Sequence, residues 1–313
     1  MKSVRLLFLE IAALLSFSIL VIFFLEWKYK SYETQADILM KEYQRKKTDA
    51  EILWLGNSHT IPLVAEMDSL GIHTPCVSFA YGGMDLFWSA VLYEKYRKEI
   101  PHLKTLCIGV DEELLGYNQT KFKLEYINRS LYKYTDTLDD DSPVNRLLAG
   151  SNFFRTNRDI SYLFNLRNQP SDLKPMLHGF FRQGDQIQQC KERAKENTFS
   201  RFSGDLIPDN ISLLKQILQT ARIHGNNVIL FTTPKSPCYN SFRNTRAIES
   251  SRIAMRKFVE EEHTFYLNGN DLFRFSDSLF RDSDHLNMHG AKIFLDSLNA
   301  FCIRQTGEKL FVE

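Results

Sequence analysis

No charge of one sign dominates this chain. Its 313 residues carry 39 lysines and arginines against 38 aspartates and glutamates, a formal net charge of +1. Without a basic field, nothing in the composition favours nucleic acid as a partner. Cysteine is scarce and scattered: Cys76, Cys107, Cys190, Cys238 and Cys302 show no CxxC and no Cys/His ligand spacing. That pattern predicts neither a disulfide framework nor a zinc site, and an odd count leaves at least one thiol unpaired. The cysteines read as small core hydrophobes. No internal repeat appears, and no run of histidines and carboxylates has metal-ligand spacing, so no metal and no cofactor is implied. What is left, 43% hydrophobic and 25% charged, is an ordinary globular composition, sufficient for one large domain or two small ones.

The N-terminus departs from that composition. Leu6 to Leu25, LLFLEIAALLSFSILVIFFL, is apolar except for Glu10 and two serines. About 20 apolar residues cross a bilayer as a helix, and Glu10 lies near one end, where a carboxylate reaches the interface at smaller cost. No small-x-small cleavage site follows, only EWKYKSYE, which argues against a cleaved signal peptide. Trp27 and Tyr29, beside Lys28 and Lys30, suit interfacial anchoring. The expectation is an uncleaved anchor over residues 1–30, then a polar stalk or helix over 31–50. Lys2 and Arg5 precede the span, whereas Lys28, Lys30, Lys41, Arg45, Lys46 and Lys47 follow it. By the positive-inside tendency that bias favours a cytoplasmic domain. A short N-terminal tail before a large domain is equally the layout of an exported, anchored protein.

From Glu51 onward, strand-like and helix-like segments alternate. EILWLG (Glu51–Gly56), PCVSFAY (Pro75–Tyr81), LKTLCIGV (Leu103–Val110), NNVILFTT (Asn226–Thr233) and HTFYLNG (His263–Gly269) read as five buried strands. Helical patterns separate them, among them DLFWSAVLYEKYRKEI, NISLLKQILQTARIHG with Gly225 as its stop, and TRAIESSRIAMRKFVEEE. Continuous apolar strands alternating with helices predict an α/β domain with a parallel sheet covered on both faces. Between Asp111 and Asp205 the alternation lapses. This stretch is expected to be a mostly helical insertion, about 112–205, overhanging the carboxyl ends of the strands as a cap.

Two short motifs carry the chemistry. The first strand ends in GNSHT, which places Ser58 at the lip of the sheet. Near the other end, RDSDHLNMHGAKIFLDSL sets Asp282 three residues before His285, ahead of an amphipathic helix. A nucleophilic serine needs an imidazole to take its proton, and the imidazole needs a carboxylate to hold its tautomer and balance its charge. His59 reads as a structural or substrate-side residue, His289 as a surface or capping contact, and Asp284 as solvent-exposed.

In that order, the two motifs resemble the GDSL-like, or SGNH, hydrolase superfamily, over Glu51 to the C-terminus apart from the insertion. The resemblance implies a three-layer, flavodoxin-like parallel sheet with Ser58 as nucleophile, His285 as general base and Asp282 as its partner. It implies an oxyanion hole from the backbone N–H of Ser58, the N–H of Gly82 or Gly83 in AYGGM, and an asparagine side chain after the third strand. That third block aligns with GVDE, Gly109 to Glu112, and puts Asp111 where the asparagine belongs. An ionised carboxylate only accepts hydrogen bonds, so either Asp111 points away, or a group such as Asn118 substitutes, or catalysis is weak. With Asp111 at the hole, Asp111→Asn is expected to raise activity. Asn57 stands where the family has aspartate.

Membrane-anchored members of this superfamily add or remove O-acetyl groups on envelope polysaccharides. The resemblance therefore implies an esterase or O-acyltransferase acting on an acylated glycan or lipid-linked sugar, with the domain outside the cytoplasm. The alternative is a catalytically weak or inactive scaffold, or a glycan-binding protein, that keeps the fold.

Overall fold

The computed structural model describes residues 2–65, 67, 72–117, 125–139, 141–156, 186–200, 206–260, 264–272 and 276–311. Asn118, one of the candidate oxyanion donors, lies outside them. Two compact units emerge: residues 1–38 with 125–170, and residues 39–124 with 171–313.

In the first unit, α1 (Lys2–Tyr29) contains a 24-residue stretch, Leu6–Tyr29, with mean hydropathy 2.6, exposed from Leu6 to Phe24 and buried at Tyr29. At 1.5 Å per residue this is about 36 Å, long enough for a hydrocarbon core of about 30 Å. Its length and composition suit a membrane span. After it, Thr34 caps α2 (Gln35–Lys46): the Asp37 backbone N–H donates to Thr34 Oγ1, and the Asp37 carboxylate accepts from the Thr34 N–H, a reciprocal box that satisfies helix-end donors.

The second unit is built on the sheet. Strands β1 (Ile52–Leu55), β2 (Cys76–Ser78), β3 (Thr105–Gly109), β4 (Asn227–Thr232) and β5 (Thr264–Asn268) are all parallel, in the order 2-1-3-4-5. All five lie inside the stretches that the apolar runs predict. Leu53 of β1 pairs with Val77 on one side and Leu106 on the other, so the first strand is interior and its carboxyl end opens at the point where the strand order reverses. Ligands bind at that point in open α/β sheets.

The helices in chain order are α3 (Ile61–Ala65), α4 (Leu86–Tyr96), α5 (Glu125–Thr135), α6 (Pro143–Gly150), α7 (Asn152–Arg155), α8 (Gln186–Lys195), α9 (Pro208–Ile223), α10 (Pro237–Phe242), α11 (Thr245–Val259) and α12 (Met288–Thr306). Alternate residues of a strand face opposite ways. Trp54, Cys107, Ile229 and Phe231 therefore share one face with Phe294, Leu295 and Leu298 of α12, while α9 packs with α4 and β4. Helix α9 ends with Gly225 at φ +70°, the left-handed stop read from the sequence.

The insertion contributes to both units. Its α5–α7 stretch belongs to the unit of α1, whereas α8 belongs to the unit of the sheet. The cysteine reading also changes. Cys190 of α8 and Cys238 of α10 are bonded across a sequence separation of 48, while Cys76, Cys107 and Cys302 are thiols. Scattered positions conceal such a pair, because only folding brings α8 beside α10.

Two glycines set the geometry at the head of the sheet. A Cβ on Gly56 or on Gly109 would fall 2.1 Å from Thr60 Oγ1, so the Thr60 side chain occupies a slot that glycines on β3 and just after β1 leave open. That slot holds the turn carrying Ser58 against the strand ends. Gly109→Ala is expected to destabilise the protein by about 1–3 kcal/mol through overpacking. Thr60 Oγ1 has no hydrogen-bond partner among the described residues, so adding Thr60→Ala should recover most of that loss. Denaturant unfolding of the single and double variants reads the difference, and equal stability of Gly109→Ala and the parent would refute the slot.

Candidate active site

Ser58 sits in the turn after β1. Its neighbour Asn57 shapes that turn: the Asn57 side-chain oxygen accepts from the His59 N–H at 2.9 Å, and the Asn57 carbonyl accepts from the Thr60 N–H at 3.0 Å. Across the sheet, Asp282 and His285 occupy a tight turn before α12. The Asp282 carboxylate accepts from the His285 N–H at 2.9 Å, and His285 Nδ1 lies 2.8 Å from Asp282 Oδ1. His285 Nε2 lies 2.9 Å from Ser58 Oγ. The three residues expected to act together are thus in a line.

The rest of the late motif explains why that turn keeps its shape. Asn287 caps α12 by accepting from the Gly290 N–H at 3.0 Å, and its Nδ2 donates to the Ser278 carbonyl at 2.8 Å. A Cβ on Gly290 would fall 2.2 Å from the Leu279 carbonyl oxygen, so glycine lets the helix start lie directly on the preceding segment. The Arg281 N–H donates to the His285 carbonyl, closing the loop between them at 2.9 Å. Leu286, buried beside Phe280 and Phe294, anchors it from below.

Gly82 and Gly83 follow β2, and Gly83 has φ +76°. The Tyr81 N–H donates to the Gly56 carbonyl at 3.1 Å, which brings this glycine turn to the same edge as the Ser58 turn. His289, on α12, is exposed, in keeping with a surface contact.

Asp284 departs most from expectation. Far from being solvent-exposed, its side chain is 2% exposed. Asp284 Oδ2 accepts from Arg193 Nε at 3.0 Å and Asn197 Nδ2 at 3.1 Å, and His59 Nε2 is 3.2 Å away. Asp284 Oδ1 is 3.4 Å from His285 Nδ1, so the imidazole has a carboxylate on each side of that nitrogen. Burial opposes ionisation of Asp284, but His285, His59 and Arg193 together hold its carboxyl well below the usual range. Burial also disfavours the charged form of His285. The Asp284 charge and the hydrogen bond to Asp282 outweigh it and raise His285 above the ordinary imidazole value. Proximity in sequence misleads here: one residue separates Asp282 from Asp284, yet the turn sends one to the rim and the other inward.

Asp111 is buried and paired. Lys235 Nζ donates to Asp111 Oδ1 at 2.9 Å, Asn57 Nδ2 donates to Asp111 Oδ2 at 2.5 Å, and His59 Nδ1 meets the same carboxylate. Lys235 Nζ also lies 2.8 Å from His59 Nδ1. Burial raises the Asp111 carboxyl, and the surrounding His59 and Lys235 charges more than reverse that, holding it ionised. The two departures from the family pattern are therefore partners. Asparagine at 57 and aspartate at 111 form one amide–carboxylate hydrogen bond, and an aspartate at 57 would set two carboxylates against each other.

The residues that sequence reasoning misses are Lys235, Arg193 and Asn197. Lys235 had a weak signal, as a lysine within TTPKSP just beyond a buried strand. Arg193 and Asn197 had none, being two polar residues in a polar helix of the insertion. Beside Asp111, Glu112 is buried with Arg243 Nη1 at 2.7 Å and Arg252 Nε at 2.5 Å, and it accepts from Asn268 at 3.1 Å. It ties the end of β3 to that of β5. Burial, with Asp111 and Glu112 nearby, raises the Glu113 carboxyl, which accepts from the Tyr239 hydroxyl at 3.1 Å.

The fold also gathers donors that no sequence spacing announced. Ligand atoms of His59, Asp284 and His285 lie within 4.8 Å of one another, a grouping able to hold a metal ion. In this arrangement the donors are engaged with one another and with protein cations. Arg193 and Lys235 supply the positive charge beside Asp284 and Asp111.

No family model matches the chain, and no curated protein matches it. Solved structures do resemble it. A protein of Bacteroides fragilis assigned as an acylhydrolase has 10% identity and TM-score 0.45, covering 88% of this chain and 100% of its own. A GDSL-like lipase of Bacteroides thetaiotaomicron has 9% identity and TM-score 0.42, covering 88% and 97%. A catalytic mutant of an acetylxylan esterase of Geobacillus stearothermophilus has 10% identity and TM-score 0.40, covering 85% and 98%. In this chain itself, the parallel sheet runs in the order 2-1-3-4-5, with Ser58 after the first strand and Asp282-x-x-His285 before the last helix.

The pairing of Asp111 reverses the effect expected of its substitution. Asp111→Asn strips Lys235 of its buried counter-charge, a loss of about 3–5 kcal/mol for a broken buried pair. The variant should be less stable and no more active. Thermal unfolding alongside acetyl-ester turnover checks this, and a faster, equally stable variant would restore the oxyanion-hole alignment.

Proposed function

We propose that this protein is a serine esterase or O-acyltransferase, anchored in a membrane, that acts on acyl groups, chiefly O-acetyl, of an envelope glycan or lipid-linked sugar. The observation that carries the reading is the line Ser58 Oγ, His285 Nε2, His285 Nδ1, Asp282, with 2.9 Å and 2.8 Å at its two links. Ser58 is the nucleophile, His285 the general base and Asp282 the residue that orients it.

The chemistry follows from those positions. Ser58 Oγ attacks the acyl carbon as its proton passes to His285 Nε2. Negative charge collects on the former carbonyl oxygen, where the N–H groups of Ser58 and of Gly82 or Gly83 serve as donors. His285 then returns the proton to the departing sugar oxygen, leaving the acyl group on Ser58. A water or a second sugar hydroxyl, deprotonated by His285, takes the acyl group and restores the serine. Water gives hydrolysis and a hydroxyl gives transfer.

The glycan substrate rests on the family resemblance together with the membrane anchor. An external placement of the sheet-bearing unit is supported by the Cys190–Cys238 bond, since disulfides persist in oxidising compartments. The lysines after the span pull the other way, but charge bias governs short loops more than large domains.

A fluorophosphonate probe tests the nucleophile. The parent should label, and Ser58→Ala should neither label nor turn over acetyl esters, losing several orders of magnitude. Turnover near the parent's in Ser58→Ala would sink the assignment; a folded parent that does not label would favour the scaffold.

The pH profile tests the base. His285 must be neutral to accept a proton, and its pKa lies above the ordinary 6.5. On a small acetyl ester, kcat/KM should therefore fall on the acid side with a midpoint above that value. Asp284→Asn removes a raising charge, so its midpoint should move to lower pH. An unmoved midpoint would mean that Asp284 does not act on His285.

A further inference from the structure

The helical stretch that shares a unit with the membrane helix is fastened at the point where the span ends. Glu26 directly follows Leu25, the end of the apolar run, and its carboxylate accepts from the Ser151 hydroxyl and, at 2.8 Å, from the Asn152 N–H. The edge of the Tyr29 ring meets Phe153 with centroids 5.1 Å apart. A little further on, Asp37 is buried against Arg155 Nη1 at 3.0 Å and Lys133 Nζ at 2.8 Å, with the Tyr134 hydroxyl beside them. Burial raises the Asp37 carboxyl, and hydrogen bonds from Lys133, Tyr134 and Thr34 override it and keep it ionised. A buried carboxylate with this many partners makes a rigid joint.

Directly before that joint runs α6, Pro143–Gly150, started by Ser142, which accepts from the Asn145 N–H at 3.2 Å. Val144 is 65% exposed and Leu147 76% exposed. At helical spacing, Val144, Leu147 and Leu148 form one apolar arc, and Arg146, paired with Asp141, lies on the other side. Leu147 precedes Ser151 by four residues, so its backbone lies within about 6 Å of the Glu26 level along the helix. The headgroup zone outside the hydrocarbon core is itself about 5–8 Å thick on each side. Trp27, 70% exposed, belongs to that zone, as interfacial tryptophans do.

We propose that the Val144/Leu147 face of α6 lies on the same bilayer that α1 crosses, with its aliphatic side chains at the boundary of headgroups and acyl chains. The proposal rests on the reading of α1 as a membrane span. The occupant is lipid because the face continues a lipid-facing surface: the same glutamate that closes the span holds the end of the segment carrying Leu147. Removing exposed aliphatic side chains from water is favourable, and interfacial helices gain from partial burial of this kind. The anchor then has two points of contact, a span and a foot, where the sequence suggested a span on a polar stalk.

Fluorescence quenching tests this in the full chain reconstituted in vesicles. The parent has Trp54 and Trp88 fully buried and Trp27 exposed, so acyl-chain bromines near the headgroups should quench Trp27 and report the span. Val144→Trp and Leu147→Trp are expected to add emission that the brominated lipid quenches and aqueous iodide does not reach. Arg146→Trp should add emission that iodide quenches. All three sites are exposed and tolerate the change without loss of fold, which circular dichroism checks.

If the emission added by Leu147→Trp is quenched by iodide while the lipid still quenches Trp27, the foot is overturned and the span stands. Protection of that added emission from both quenchers would also overturn the foot, since protein rather than lipid would then cover the face. Unquenched Trp27 would remove the span, and the foot with it.

Discussion

A single hydrogen bond, 2.9 Å between His285 Nε2 and Ser58 Oγ, joins residues 227 apart in the chain. It forms only if the end of the first strand and the turn before the last helix arrive at one edge of the sheet. The parallel topology brings them there, because every strand delivers its carboxyl end to the same side. The glycines at 56 and 109 admit Thr60 and hold one partner, while Gly290 and the Asn287 cap hold the other. Much of what is unusual in the two motifs is explained by the need to keep this one contact in register.

Around that bond the protein has buried charge, and buried charge must be matched. Asp111 has Lys235, Asp284 has Arg193, and Glu112 has Arg243 and Arg252. His59 stands between Asp111 and Asp284, its ring 4.4 Å from that of His285. The arrangement fixes the imidazole of His285 from a direction that the Ser-His-Asp line alone leaves open. Its supports come from the segment after β3, from the segment after β4 and from α8, so the surroundings of His285 depend on three separate stretches of chain. The bond between Cys190 and Cys238 links two of those stretches beside the residues they contribute.

The insertion is shared between the two units. One long stretch between β3 and β4 supplies helices to the unit of α1 and another helix to the unit of the sheet. Asp37 and Glu26 receive the first group through side-chain contacts, and Asp284 receives the second. The composition of the stretch, polar with scattered aromatics and arginines, gave no sign of where it divides.

The strands, their order along the chain, the apolar N-terminal run and the pair of motifs were all legible in the sequence by itself, because each depends on neighbours a few residues away. A buried strand needs only its own apolar run, and a capped helix needs only its cap, as at Asn287 and Gly225. The line from Asp282 to His285 is local in the same way, three residues on one turn. The fate of single polar side chains was not legible. Whether Asp284 faces water or Arg193, whether Asp111 stands alone or meets Lys235 and Asn57, and whether Cys190 finds Cys238 are decided by groups 48 to 124 residues away. Charge and thiol pairing act at a few ångströms in space, and only the packed tertiary structure sets which residues come that close.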